Sequence, residues 1–286
     1  MVCNNSEIWK GHSLLEGDVF GSIRQYQAIF KNKNIGFIPD CLETMFRAVI
    51  LAGGLGKRLR PLTEDKPKVL LPVAGRPILE WQIHWLKFHG FRDIVLCVGY
   101  LWEKIKEKIH NGDKLGVNVT YVVEHEPLGT GGALKNAERE LEDSDIFIVI
   151  NGDILTNIDL EKFYMSLNGN VGVIALVPLP SPFGIVDFDK ETLKIKSFIE
   201  KPRIKDYWIN AGVYMFSKEV FNYLPEKGDI ERTTFPKLAE ESKLKALVFP
   251  DVFWTSIDSH KDLEEASKIL LTIHPFSNIS SRKREI

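Results

Sequence analysis

Residues 47–73, RAVILAGGLGKRLRPLTEDKPKVLLPV, decide how the rest of the chain is read. They open with Ala48-Val49-Ile50-Leu51-Ala52, an apolar run of the length of one buried strand. Gly53, Gly54 and Gly56 follow at once, so bare backbone can lie directly against a ligand. Lys57, Arg58, Arg60, Lys66 and Lys68 then place five cations within twelve residues. Pro61, Pro67 and Pro72 argue against a helix through the segment, and the loop is expected to face solvent. A strand running into a glycine loop loaded with cations offers a polyphosphate both amide donors and neutralising charge. The competing reading, a plain solvated basic loop, does not account for the fixed order of strand, glycines and cations. Two better-known phosphate loops are excluded by spacing. No glycine follows Gly56 at the offset that G-x-G-x-x-G requires, and Gly56-Lys57 is followed by Arg58 rather than the Ser or Thr of a Walker loop.

Working outward, the pattern alternates. Pro77–His89 reads as a helix with Leu79, Ile83 and Leu86 on one face and Gly90 suited to its C-terminal turn. Strands are expected at Asp93–Val98, Val117–Val123, Ile146–Ile150 and Val171–Val177, and helices at Leu101–Ile109, Gly131–Leu141 and Asp159–Leu167. Strands that are continuous apolar runs between helices predict an α/β fold, a mostly parallel (Rossmann-like) mixed sheet covered by helices. Such sheets bind ligands beyond the carboxyl ends of their strands. That rule gathers the Gly53–Lys57 loop, the Gly129–Gly132 loop and the Asn151-Gly152-Asp153 turn on one edge. From Pro178 the texture changes. Gly184–Asp187, Lys194–Ile199 and Ile209–Phe216 alternate like antiparallel strands and predict a small antiparallel lobe for a second substrate. Strands at Ala246–Phe249 and Val252–Ile257 lead into a helix from about His260 to Leu271, opened by a Ser259/Asp262 capping box.

The bulk properties agree with a globular α/β protein of this kind. The 286 residues can bury a large core, and a net charge of −2 gives no global reason to expect nucleic acid or an anionic membrane as partner. Cys3, Cys41 and Cys97 show neither paired nor metal-type spacing, which fits a reducing cytoplasm. No apolar run reaches the roughly 18 residues of a membrane span, and no signal-peptide pattern opens the chain. Residues 1–44 are expected to be an N-terminal extension of unassigned role, 45–274 the catalytic domain and 275–286 a flexible tail.

The order G-G-x-G-x-R-L-x-P-L-T, then P-K-x-L-L-P-V and G-R-P-I-L-E, resembles the sugar-1-phosphate nucleotidyltransferase (NDP-sugar pyrophosphorylase) family, from about Phe46 to about Leu271. The resemblance implies a reaction between a nucleoside triphosphate and a sugar 1-phosphate. Leu51, Ala52, Gly53, Gly54 and Gly56 would bind the nucleotide, with Arg58 on the leaving phosphates and Lys68 beside the α-phosphate. Glu124 and the backbone of Gly129–Thr130 would recognise the base. Glu200 and Asn210 would hold sugar hydroxyls, Lys201 the sugar phosphate, and Gly184 would admit the sugar ring. Asp153, at the end of an apolar strand, would hold Mg²⁺, a hard cation that takes one or two carboxylates plus phosphate oxygens.

The E-P-L-G-T-G-G-A form of the second glycine loop looks like the mannose-1-phosphate and heptose-1-phosphate guanylyltransferases. Uridylyl- or thymidylyltransfer to glucose 1-phosphate, and a non-catalytic regulatory relative, stay open beside it, as does homo-oligomerisation. One departure from the family stands out. Its late W-x-D-x-G element supplies a second metal carboxylate, but this chain reads Trp254-Thr255-Ser256-Ile257-Asp258. Asp258, on the same strand face as Ser256 if the strand stays extended, is the expected replacement ligand. Its alternative role is to favour the positive end of the following helix.

Overall fold

A computed structural model describes residues 46–277. The extension 1–44, Cys3, Cys41 and the tail beyond Ser277 lie outside the described residues.

The strands are β1 Arg47–Ala52, β2 Pro72–Val73, β3 Arg76–Pro77, β4 Asp93–Val98, β5 Asn118–Val123, β6 Ile146–Asn151, β7 Ile154–Thr156, β8 Gly172–Pro180, β9 Ile185–Phe188, β10 Ile195–Ile199, β11 Arg203–Ser217, β12 Leu244–Val248 and β13 Trp254–Ser256. The helices are α1 Ile78–Phe88, α2 Trp102–Ile109, α3 Gly129–Asn136, α4 Glu161–Leu167, α5 Thr234–Glu240 and α6 His260–Leu270. Seven strands make one sheet in the order β12-β8-β11-β6-β1-β4-β5. β6, β1, β4 and β5 pair in parallel, as do β8 and β12, while β11 runs antiparallel to both of its neighbours.

The alternation along β1 shows why both faces are covered. Ala48, Ile50 and Ala52 enter one core with helix α1, and Val49 enters a second core with Ala133, Leu134 and Phe147. β6 does the same, with Ile146, Ile148 and Ile150 on one side and Phe147 and Val149 on the other. Each large apolar side chain withdrawn from water contributes about 1.5–3 kcal/mol, so the two central strands are the firmest part of the scaffold.

Several boundaries differ from the sequence expectation. The strand expected at Ile209–Phe216 extends over Arg203–Ser217 and belongs to the main sheet, not to the small lobe. Its second half is continuously buried between β6 and β8, a fully covered position that alternation does not reveal. The lobe itself reduces to the β9–β10 hairpin, exposed along both strands. The helix expected at Gly131–Leu141 begins at Gly129, ends at Asn136 and passes into a 3₁₀ turn at Glu138–Leu141. β12 is shifted to Leu244–Val248, and the strand expected to run to Ile257 stops at Ser256, where it pairs with the short β7. Phe276, expected in the tail, is buried edge-on against Trp81, with ring centroids 5.7 Å apart.

Candidate active site

The carboxyl ends of β1, β4, β5 and β6 open onto a single cleft of about 600 Å³. Gly53–Arg58, Lys68, Gly99, Glu124, Gly129–Thr130, Asp153 and Asp258 line it, so the three loops singled out in the sequence do converge.

The first loop is held by its own motif. Gly56 takes the left-handed conformation, with φ 60°, and a side chain there would meet Thr63 at 2.9 Å. Thr63 is buried and its hydroxyl donates to the Gly56 carbonyl at 2.9 Å, closing the turn, while Leu59 anchors it in the core. The prolines do exclude a helix, and only single 3₁₀ turns form at Lys57–Leu59 and Lys68–Leu70.

Lys68 does not face solvent as expected. Its side chain is 13% exposed, and its ammonium lies 2.8 Å from Asp153 Oδ2 and 2.8 Å from Asp258 Oδ1. Arg58, by contrast, is largely exposed and reaches the same Asp258 oxygen at 2.8 Å. Asp153 is aimed by its neighbours. The Gly152 amide donates to the Leu51 carbonyl at 2.9 Å, and a Cβ there would stand 2.6 Å from that carbonyl, so only glycine fits. Buried Gln82, on α1, donates to the Asn151 and Ile154 carbonyls at 2.9 and 2.8 Å and pins both ends of the turn. A lone glutamine within an apolar helix gave no sequence signal for this role.

Asp258 reaches the cleft although its strand ends two residues earlier. The Ile257 amide donates to the Asp153 carbonyl at 2.9 Å, bringing the end of β13 beside the β6–β7 turn. The expected capping box is present, and Asp262 accepts from the amides of both Asp258 and Ser259. Helix capping is thus done by Ser259 and Asp262, which leaves the Asp258 side chain for the cleft. Ser256, at the position of the usual carboxylate, donates its hydroxyl to Asp258 Oδ2 at 2.7 Å. Burial alone would raise the Asp258 pKa, but hydrogen bonds from Lys68 and Ser256 and the charges of Lys68 and Arg58 outweigh it and hold it low.

Glu124 leaves the end of β5 and folds over two glycines. A Cβ on Gly53 would stand 2.1 Å from its Oε1, and one on Gly99 2.7 Å, so both positions must be bare for the carboxylate to fit. Gly99 was not singled out in the sequence, because an isolated glycine after a strand reads as an ordinary turn. Burial pushes the Glu124 pKa up, partly offset by the Leu128 amide that donates to it at 3.2 Å.

Four of the expected residues stand apart from this cleft. Gly184, Glu200 and Lys201 cluster on the exposed hairpin. Lys201 lies 3.6 Å from Glu200, and a Cβ on Gly184 would crowd Phe198 at 2.5 Å and Glu200 at 3.0 Å. Gly184 thus makes room for its own lobe. Asn210, on β11, binds within the sheet, donating to the Tyr214 hydroxyl at 2.8 Å and accepting from the Gly212 amide at 2.9 Å. The antiparallel course of β11 carries it toward the cleft edge.

Residues 47–273 match the nucleotidyl transferase family, and the chain belongs to it. It is 39% identical over 225 residues to mannose-1-phosphate guanyltransferase 2 of Candida glabrata, covering 76% of this chain and 62% of that protein. The chain therefore spans less than two thirds of the length of such relatives. Among solved structures, HddC from Yersinia pseudotuberculosis complexed with GMP-PN is 32% identical with a TM-score of 0.62, covering 78% of this chain and 99% of that one. A Bacillus anthracis structure designated a glucose-1-phosphate thymidylyltransferase, in complex with sucrose, is 26% identical with a TM-score of 0.64, covering 80% and 96%.

Proposed function

We propose that the protein transfers a guanylyl group from GTP to mannose 1-phosphate or a related sugar 1-phosphate, releasing pyrophosphate. One observation carries the reading: Asp153 and Asp258 meet on the Lys68 ammonium in the cleft that the Gly53–Gly56 loop also lines. A non-catalytic relative has no need to keep that constellation assembled. The similarity to mannose-1-phosphate guanyltransferases and to a GMP-PN-bound neighbour supports guanine as the base.

In the proposed reaction an oxygen of the sugar phosphate attacks the α-phosphorus in line. The bond to the α–β bridging oxygen breaks, and pyrophosphate departs with that electron pair. Positioning and charge stabilisation are the protein's main work, and no activated Ser or Cys is required. The amides of Gly53–Gly56 and the Arg58 guanidinium hold the β,γ-phosphates. Lys68 moves from its carboxylates to the α-phosphate, where charge builds. Lys201 steers the attacking phosphate, while Glu200 and Asn210 take sugar hydroxyls once the exposed hairpin folds toward the cleft.

The donor set suits Mg²⁺. The oxygens of Asp153 and Asp258 that share Lys68 are at most twice 2.8 Å apart, and both are hard ligands. Asp153 and Asp258 would hold the ion, which would supply positive charge to neutralise the phosphates. We place the catalytic unit at residues 45–274, supported by the family match over 47–273, and the protein in the cytoplasm, supported by a buried free thiol at Cys97. Among the described residues no helix is long and apolar enough to cross a membrane. A screen of pyrophosphate release over all four nucleoside triphosphates against several sugar 1-phosphates tests the proposal. The expected best pair is GTP with mannose 1-phosphate; a clear preference for UTP or dTTP with glucose 1-phosphate would overturn the choice of substrates.

A further inference from the structure

The wall of the base end of the cleft is completed by a segment that no phosphate or sugar motif marks, Gly228–Glu231. It clasps the second glycine loop from outside. The Gly131 and Gly132 amides donate to the Gly228 carbonyl at 2.9 and 3.2 Å, and the Gly228 amide returns a bond to the Leu128 carbonyl at 2.7 Å. The Thr130 hydroxyl donates to Glu231 at 2.7 Å and accepts from the Ile230 amide at 2.9 Å. The Thr130 hydroxyl is therefore engaged in holding the clasp. The clasp delivers one carboxylate to the cleft: Asp229 lines it, and its Oδ1 would stand 2.9 Å from a Cβ on Gly129. Among the described residues its one ion pair is a long one, 3.8 Å to Arg232, whose side chain is 85% exposed.

Glu124 and Asp229 thus flank the Glu124–Gly129 turn as two carboxylates on one wall. A uracil or thymine edge offers one N–H between two carbonyl oxygens, so a second carboxylate would meet an acceptor and repel it. Guanine offers adjacent donors, N1–H and the 2-amino group. Selecting one base and rejecting another with the same charged group is the economical route to specificity. Resting on the guanylyl reading above, we infer that Asp229 is a specificity-determining residue that accepts a hydrogen bond from the guanine 2-amino group.

Equilibrium binding of GTP, ITP, 2′-deoxy-GTP and UTP to the full chain, wild type and Asp229→Asn, tests this without catalysis. ITP lacks only the 2-amino group. Wild type is expected to bind GTP at least about tenfold tighter than ITP, the scale of a hydrogen bond to a charged acceptor. Asp229→Asn, which keeps only a neutral acceptor, should lower that ratio several-fold while leaving ITP binding unchanged. Arg232→Gln serves as the control that should leave every ratio in place. An unchanged GTP-to-ITP ratio in Asp229→Asn would overturn the inference while the guanylyl reading stood. Equal losses for GTP and ITP, with discrimination against 2′-deoxy-GTP abolished, would assign Asp229 to the ribose and overturn it as well. Wild type that binds UTP better than GTP would bring down the guanylyl reading itself and this inference with it.

Discussion

Asp153 and Asp258 share one ammonium: Lys68 Nζ lies 2.8 Å from an oxygen of each. Two carboxylates from distant parts of the chain are kept together by a cation that the proposed reaction must borrow. Lys68 fills the space between them, and the same two carboxylates would hold a divalent cation, which would supply neutralising charge beside the phosphates.

Lys68→Ala should therefore do two things. Turnover should fall by about two orders of magnitude or more, the usual effect of deleting a preorganised charge at a developing oxyanion. The fold should also weaken by on the order of 1–3 kcal/mol, because two carboxylates are left facing each other, discounted for their partial exposure. Magnesium should restore part of the lost melting temperature in this variant and little in wild type. Calorimetry with and without Mg²⁺ checks the second effect independently of activity.

Replacing Asp258 with Asn should raise the Mg²⁺ concentration needed for half-maximal activity at least about tenfold. Its stability cost at pH 7 should stay near 1 kcal/mol, since Lys68 keeps Asp153 as partner. A metal titration that does not move would remove Asp258 from the metal site.

Glu124→Gln exchanges a pair of acceptors for one acceptor and one donor. The GTP-to-UTP ratio of kcat/KM should fall, since a site built on hydrogen bonds discriminates strongly against a mismatched edge. Gly99→Ala should have the same direction of effect, because its Cβ would displace the Glu124 carboxylate. Steady-state kinetics with both nucleotides decides the matter.

Acid sensitivity should trace to two half-buried histidines outside the cleft. Burial lowers His89 from 6.5 to about 4, against the opposing influence of Asp159 and the Ile158 carbonyl, and it lowers His84 to about 4 with help from Arg76 and Lys87. Above pH 6.5 folded and unfolded chains bind equal numbers of protons at these sites. Between 6.5 and 4 the unfolded chain gains protons that the folded one refuses, so stability is lost as pH falls through that window. His89→Phe should flatten the slope of melting temperature against pH between 6.5 and 4 without moving the pH profile of turnover.

The parallel half of the fold and the phosphate end of the cleft were legible because local signals specify them. An apolar run gives β1, and glycines, cations and prolines in a fixed order give the loop. The antiparallel half was less so. β11 is buried along its second half, where alternation vanishes, and β7 is too short to have a period. In the site, Lys68, Asp153 and Glu124 carried motifs, whereas Gln82, Gly99 and Asp229 meet residues far away in sequence, and Ser256 meets Asp258 just beyond the end of its strand. Asp258 was found for a partly mistaken reason. The strand does not continue to it, and the Ile257 amide and the capping turn bring it in.

The most direct test of the central claim follows the oxygen atoms. Mannose 1-phosphate carrying oxygen-18 in its non-bridging phosphate oxygens is incubated with unlabelled GTP and Mg²⁺, and the products are weighed by mass spectrometry. Attack by the sugar phosphate on the α-phosphorus predicts GDP-mannose that retains all of the label, formed one-to-one with unlabelled pyrophosphate. Label in pyrophosphate, or pyrophosphate accompanied only by GMP, would contradict the account.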